Sequence, residues 1–211
     1  MNSIPFYANT PDDTHCFQAA LRMILKYYFP DKEYTWTELE KFTAKKEGLW
    51  TWVTQGIINM RKLGFEVILR EVFDYQKFIE KGGEYLLEKN GLEVSIEQIE
   101  HSDIAQEQKI ANEYIRLFGN RNIPATITEL KTLIDKKYII IANVNANKLN
   151  GKQGYTGHFV VIYSYDQNNL FLHDPGLPPK KARKVLLIDF MKAWEYPTRD
   201  SKGFIAFKLT K

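Results

Sequence analysis

Apolar residues recur at helical spacing near the start of the chain. Those that fall on one face, at intervals of three and four, are Ala20, Met23, Ile24 and Tyr27. The pattern predicts a helix over 16–28, which should stop near Tyr28 because Pro30 follows. A polar, turn-rich segment precedes it, with three candidate N-caps: Asp12, Asp13 and Thr14.

The next hundred residues also have a mainly helical pattern. Residues 35–64 predict two helices, with Thr35 or Thr37 capping the first and Gly64 ending the second. Residues 65–72 predict a short strand. Residues 74–118 are expected to be mostly helical, with breaks at Asn90-Gly91 and Ser102-Asp103 and a stop at Gly119-Asn120.

The pattern changes after residue 120. Thr126 or Thr128 should cap a short helix that runs through Leu133, and 147–157 reads as loop. Apolar and β-branched runs predict strands at 138–144, 158–163, 170–173 and 203–209. A hairpin turn centred on Asn168-Asn169 joins the second and third of these strands. Helices come first and antiparallel strands last, which predicts an α+β protein.

Composition narrows the class of protein. Of 211 residues, 44% are hydrophobic and 26% charged, and 29 Lys+Arg against 26 Asp+Glu leave a net charge of +3. This weak excess favours neither a nucleic-acid partner nor a membrane-surface partner. The apolar runs are far shorter than the roughly twenty residues of a membrane span, and residues 1–7 lack the features of a secretory signal. We therefore expect a cytoplasmic protein of one domain.

The single cysteine is the first candidate for chemistry. It excludes an internal disulfide and a Cys-rich zinc site. Cys16 lies at the predicted start of a helix, where unpaired N–H groups and the helix dipole favour an anion, and thiolate is the nucleophilic form of a thiol. Most free cysteines, however, are small buried apolar residues.

A thiol nucleophile needs a base, and the chain has four histidines. His15 is a poor partner because adjacent helical residues point about 100° apart, and His101 lies in a polar stretch that suggests a solvated surface residue. His158 opens an apolar strand, and Asp174 ends the next strand across the hairpin, where its carboxylate is positioned to orient the imidazole. His173 should face away from Asp174. The spacing equally allows His158 to begin a strand and Asp174 an Asp-Pro-Gly turn without catalytic roles.

Three segments carry a resemblance to a known family. Residues 13–25 resemble the nucleophile helix of papain-like cysteine peptidases. Within that superfamily, 157–162 and 171–176 resemble the histidine strand and the aspartate-proline turn of the branch that trims double-glycine leaders from bacteriocin precursors, in its stand-alone form. The similarity covers about 5–30 and 123–210.

The resemblance implies a fold and a set of roles. It implies a papain-like domain over 1–211, with a helical lobe at about 12–120 that carries the cysteine helix and a sheet lobe at about 121–211 that carries His and Asp. By that resemblance Cys16 is the nucleophile, His158 the acid/base and Asp174 the orienting carboxylate, with no metal or cofactor. The substrate would be a peptide or a small amide.

Two positions depart from the family pattern. Phe17 stands where the family usually has Gly after the cysteine, and Thr10 stands where it has a Gln that binds the oxyanion. Asn9, one residue earlier, offers a side-chain amide in place of that Gln, with the N–H of Cys16 as second donor.

The sequence leaves three functions open. The leading hypothesis is a thiol hydrolase that cleaves a peptide or amide bond through a thioester. The same groups would serve an acyltransferase, in which an amine or thiol replaces water. The third is a catalytically inactive relative that binds an extended peptide.

Overall fold

The computed structural model describes residues 3–210. Within this range the α-helices are α1 (Cys16–Tyr28), α2 (Trp36–Thr43), α3 (Val53–Lys62), α4 (Tyr75–Lys81), α5 (Gly83–Asn90), α6 (Leu92–Glu100), α7 (Ile104–Phe118), α8 (Ile127–Asp135), α9 (Ala146–Leu149) and α10 (Leu187–Trp194). The strands are β1 (Phe65–Glu71), β2 (Ile139–Asn145), β3 (Gly157–Tyr165), β4 (Asn169–Asp174), β5 (Lys180–Leu186) and β6 (Gly203–Leu209). A 3-10 helix covers Arg199–Ser201. None of the helices in the described range is both long and apolar enough to cross a bilayer.

The strands form one antiparallel sheet in the order β1-β6-β2-β3-β4-β5. This confirms the predicted α+β class, with a mainly helical N-terminal part and a C-terminal sheet. One strand, β1, comes from the N-terminal part and pairs with β6 at the sheet edge. The sheet therefore draws on both ends of the chain.

Helices cover both faces of the sheet, and each face has its own apolar core. On one face α1 packs over Ile141, Val161 and Phe207, together with residues of α2, α3 and α7. On the other face α8 and α10 pack over a second cluster that includes the fully buried Trp194. The first of these layers places α1 against β3, the strand whose second residue is the candidate His158.

Most predicted boundaries agree with the structure, and the differences have local causes. The break at Gly82, between α4 and α5, was not predicted. The segment 147–157 is not all loop, because α9 occupies its start, where the Asn145 side chain accepts from two backbone N–H groups. The hairpin turn is centred one residue earlier than predicted, since Asp166 N–H donates to the Asn169 carbonyl and Tyr165 pairs with Leu170. A bulge between Ile162 and Ser164 shifts the register further.

Candidate active site

Cys16 is the first residue of α1, and this helix start is uncapped. His15 occupies the N-cap position, and no side chain within residues 3–210 accepts from the first N–H groups of α1. The predicted caps are therefore wrong: Asp12 binds the hydroxyls of Thr10 and Thr14 instead, and Asp13 accepts from Asn9. The N–H groups of the first turn stay available for an anion beside the sulfur.

His158, at the start of β3, forms a buried pair with Asp174, at the end of β4. The imidazole Nε2 lies 2.8 Å from Asp174 Oδ1, and both side chains are almost completely buried. His173 pairs with Val161, and Asp174 is the next residue along β4. Its side chain therefore lies diagonally across from the first residues of β3, where His158 is. The hairpin thus brings the predicted histidine and carboxylate together.

The second nitrogen of His158 is the one available to Cys16. The Cys16 thiol is close enough to the His158 side chain to raise the pKa of the imidazole, and since Nε2 faces Asp174, Nδ1 is the nitrogen left for the sulfur. Burial lowers the pKa of His158, but the interactions with Asp174 and Cys16 outweigh this effect and raise the pKa to about 10. The structure therefore brings the three predicted residues, Cys16, His158 and Asp174, together at one place.

Arg183 is a partner of this site that the sequence reasoning missed. Its Nη1 donates to Asp174 Oδ2 at 2.7 Å, and its Nη2 donates to the Leu149 carbonyl at 2.7 Å. Burial raises the pKa of Asp174, but His158, Arg183 and the Gly176 N–H together lower it to about 2. In the sequence Arg183 lies within a basic run, which is typical of a solvated surface segment. Its proximity to Asp174 follows only from the pairing of β5 with β4.

The other histidines lie outside this chain of contacts. His15 is buried and bonded to Glu40 and Thr10. His173 accepts from the Ala182 N–H at Nδ1, so Nε2 carries the proton and donates to the Ile4 carbonyl. The His101 side chain is 43% exposed, as expected for the predicted surface position. Its ring stacks on Trp50, with centroids 5.0 Å apart, because the α6–α7 junction folds onto the loop before α3.

Phe17, the departure that follows the cysteine, packs into the core. It is only 1% exposed, and its ring lies 5.0 Å from that of Phe159. Space for it comes from Gly56 on α3, where an added Cβ would lie only 2.7 Å from Phe17 Cε1. The ring of Phe17 therefore fits here because Gly56, on the neighbouring helix α3, has no side chain.

Asn9, the candidate oxyanion donor, forms hydrogen bonds within the loop before α1. Its Oδ1 accepts from the backbone N–H of His15 at 2.7 Å, and its Nδ2 donates to Asp13 Oδ1 at 2.6 Å. One N–H of the amide is therefore engaged by a carboxylate. Cys16 and Asp13 line the cleft at this point, whereas Asn9 is buried behind it.

A deep cleft connects the sulfur to the interior between the two parts of the chain. Its cavity volume is about 650 Å³. Beside the sulfur it is lined by Cys16, His158 and Gly176, and farther along by aromatic side chains that include Trp50 and Tyr155. An added Cβ on Gly176 would come within 3.1 Å of both His158 and Asp174, so the glycine lets the backbone pass close to the pair.

Comparison with known proteins gives one family and several similar folds. The model of the Peptidase_C39 like family matches residues 1–201. No curated protein matches the chain.

Three solved structures are similar over nearly the whole chain. The peptidase domain of Streptococcus ComA, a bifunctional ABC transporter of a quorum-sensing pathway, is 15% identical, with 99% of this chain and 98% of that chain covered and a TM-score of 0.51. A double glycine motif protease from an AMS/PCAT transporter, solved with its leader peptide, is 14% identical, with 99% and 93% covered and a TM-score of 0.50. A putative C39-like peptidase from Bacillus anthracis is 16% identical, with 99% and 96% covered and a TM-score of 0.47. At these identities the first two show a shared fold.

Proposed function

This chain belongs to the Peptidase_C39 like family, and from that membership we propose that it is a cysteine peptidase with Cys16 as its nucleophile. The observation that carries the proposal is that the Cys16 thiol lies beside the buried His158, which is in turn bonded to Asp174. A nucleophile, a base and a group that orients the base are the parts that thiol catalysis requires. The cleft offers room for an extended peptide beside the sulfur.

The roles follow from which atoms face each other. His158 takes the thiol proton, and the Cys16 thiolate attacks the substrate carbonyl, which forms a tetrahedral intermediate. The imidazolium then protonates the leaving amine, the thioester forms, and water attacks it with His158 as base. Asp174 orients the imidazole and stabilises its charge, while Arg183 holds the carboxylate in place.

The oxyanion needs donors at the start of α1. The backbone N–H of Cys16 belongs to an uncapped first turn and supplies one donor. Asn9, the predicted second donor, keeps one amide N–H that Asp13 does not hold, but its side chain is buried behind the cleft.

Alkylation of the lone thiol tests the proposal directly. We expect iodoacetamide to label native Cys16 at pH 6 at least about tenfold faster than the same thiol in urea-unfolded protein, because the imidazolium partner favours the thiolate. The His158→Gln variant should lose this advantage. A matched His173→Gln variant, which removes a histidine bonded elsewhere, should keep it. Equal rates in native and unfolded protein would contradict the proposal.

Turnover separates peptidase activity from the two alternatives. Peptide cleavage should be abolished in Cys16→Ala while its circular dichroism is unchanged. Products that incorporate an added amine instead of water would indicate acyl transfer. Peptide binding to native protein without turnover would indicate an inactive relative.

A further inference from the structure

Asn9 is bonded to both of the segments that carry the candidate catalytic groups. Its backbone N–H donates to the Pro175 carbonyl at 2.8 Å, in the turn that follows Asp174. Its side-chain Oδ1 accepts from the backbone N–H of His15 at 2.7 Å, and His15 is the residue before Cys16. One residue therefore joins the start of the cysteine helix to the turn beyond the candidate carboxylate.

The Asn9 side chain uses both ends of its amide within the loop 9–15. Oδ1 accepts a second bond, from the backbone N–H of Thr10 at 2.9 Å, and Nδ2 donates to Asp13 Oδ1 at 2.6 Å. Asn9 is only 7% exposed, so water does not readily replace these partners. A buried polar group that is bonded at both ends is costly to displace. The amide therefore holds this loop in one shape.

The backbone of the loop depends on the bond between Asn9 and Asp13. Asp13 has a φ of +56°, in the left-handed region that residues other than glycine seldom adopt. Its N–H donates to the Thr10 carbonyl at 2.9 Å, which closes a turn. The bond from the Asn9 amide to Asp13 spans this turn and keeps it closed. Without this bond we expect the turn to open and the start of α1 to shift.

The bond from Asn9 to Pro175 reaches a turn that lies against His158. Gly176, the residue after Pro175, donates its N–H to Asp174 Oδ1 at 3.1 Å. An added Cβ on Gly176 would lie only 3.1 Å from Cε1 and Nε2 of the imidazole. A shift of the loop relative to this turn would therefore change the separation of the sulfur from the imidazole.

We infer that Asn9 is a positioning residue that sets the separation of the Cys16 sulfur from the His158 imidazole. This rests on the proposed peptidase function and adds a residue to the groups that carry it. The role differs from that of an oxyanion donor. A donor stabilises charge on the substrate carbonyl, whereas a positioning residue acts on the thiol in the absence of any substrate.

Two small probes of the same sulfur distinguish these roles. Iodoacetamide reacts with the thiolate by displacement of iodide, and no oxyanion forms. p-Nitrophenyl acetate transfers its acetyl group to the thiolate through a tetrahedral oxyanion and releases p-nitrophenolate. Loss of an oxyanion donor slows acetylation alone, whereas loss of a positioning residue slows both reactions, because the thiolate depends on the neighbouring imidazole. Cys16→Ala gives the background rate of each probe.

Asn9→Asp removes the amide donor and places two carboxylates against each other. We expect both rates at pH 6 to fall at least about tenfold, since misplacement of a reacting group by about 1 Å can cost about a hundredfold. The matched control is Asn120→Asp. Asn120 Oδ1 also accepts from a backbone N–H at a helix start, that of Tyr75, and its Nδ2 also donates to a carboxylate, that of Asp74. This control should lower stability in urea to a similar extent and leave the alkylation rate unchanged.

The double variant Asn9→Asp/Asp13→Asn exchanges the two groups and restores the net charge of the loop. The carboxylate introduced at position 9 accepts from the same backbone N–H groups, and the amide introduced at position 13 donates to it. Asparagine also tolerates a left-handed backbone. We expect both rates to return to within about threefold of the native values. Position 9 then has no side-chain N–H to offer an oxyanion, so this recovery would arise from positioning.

Three results would overturn the inference and leave the peptidase standing. These are alkylation of folded Asn9→Asp at the native rate, failure of the folded double variant to recover alkylation, and recovery of alkylation without acetylation. The last of these would make Asn9 an oxyanion donor. Unfolding in urea is followed for every variant, so that a rate lost through unfolding is recognised. Alkylation of native Cys16 at the rate of the unfolded thiol would overturn the proposed peptidase and this inference with it.

Discussion

At the scale of single residues, the carboxylate of Asp174 is bonded to two side chains, those of His158 and Arg183. One oxygen accepts from His158 and the other from Arg183, and a backbone N–H of Gly176 adds a third bond. A buried carboxylate with this many donors stays ionised, and it keeps the imidazole charged in turn. The His158 imidazole is therefore held in one orientation.

The raised pKa of His158 predicts a pH dependence of stability. Its ordinary value is 6.5 and its value in the folded protein is about 10. The folded state therefore gains stability from this proton, in full below pH 6.5, and loses it as the pH rises through about 10. In urea unfolding, we expect the free energy of unfolding of the native protein to fall between pH 6.5 and pH 10 by at least about 1 kcal/mol more than that of His158→Gln. Parallel curves for the two proteins would show that His158 is not charged in the folded state.

At the scale of elements, the contact between α1 and α3 decides where the bulky residue after the cysteine goes. Phe17 occupies the space left by Gly56 and meets Phe159 from the sheet. Because Cys16 is the first residue of α1, a shift of this helix by a fraction of an ångström moves the sulfur. The glycine on a different helix therefore helps to position Cys16.

Gly56→Ala tests this packing, because the substitution raises helix propensity but brings a new Cβ against Phe17. Helix propensity alone favours alanine by about 1 kcal/mol, but the new Cβ would lie 2.7 Å from Phe17 Cε1. We expect net destabilisation of about 1–3 kcal/mol in denaturant unfolding, and slower alkylation of Cys16. Gln55→Ala on the same helix serves as the control and should be nearly neutral. Adding Phe17→Leu to Gly56→Ala should recover part of the loss, and a strictly additive double variant would argue against the contact.

At the scale of the whole molecule, the helical part and the sheet share their cores. The cluster under α1 includes Ile141, Val161 and Phe207 from three strands, and β1 joins the sheet from within the helical part. Neither part buries its apolar face without the other. We therefore propose that residues 1–211 form one domain.

A single domain should unfold in a single transition. Far-UV circular dichroism reports on all helices and strands. In a Trp194→Phe variant, the fluorescence of the remaining tryptophans, Trp36, Trp50 and Trp52, reports on the N-terminal part alone. We expect both signals to give the same denaturant midpoint. Two separated midpoints would mean that the two parts unfold independently.

The sequence by itself determined the features that depend on neighbouring residues. Periodicity located the helix that begins at Cys16, β-branched runs located the strands, and the order of the cysteine, histidine and aspartate motifs pointed to the family. These signals are local, because a helix or strand forms wherever one face of a short segment can be buried.

Only the tertiary structure decided which distant groups meet. In the sequence Arg183 is one charge within a basic run, and only the pairing of β5 with β4 places it against Asp174. Such contacts depend on strand register and on packing between segments far apart in the chain, which residue spacing does not encode.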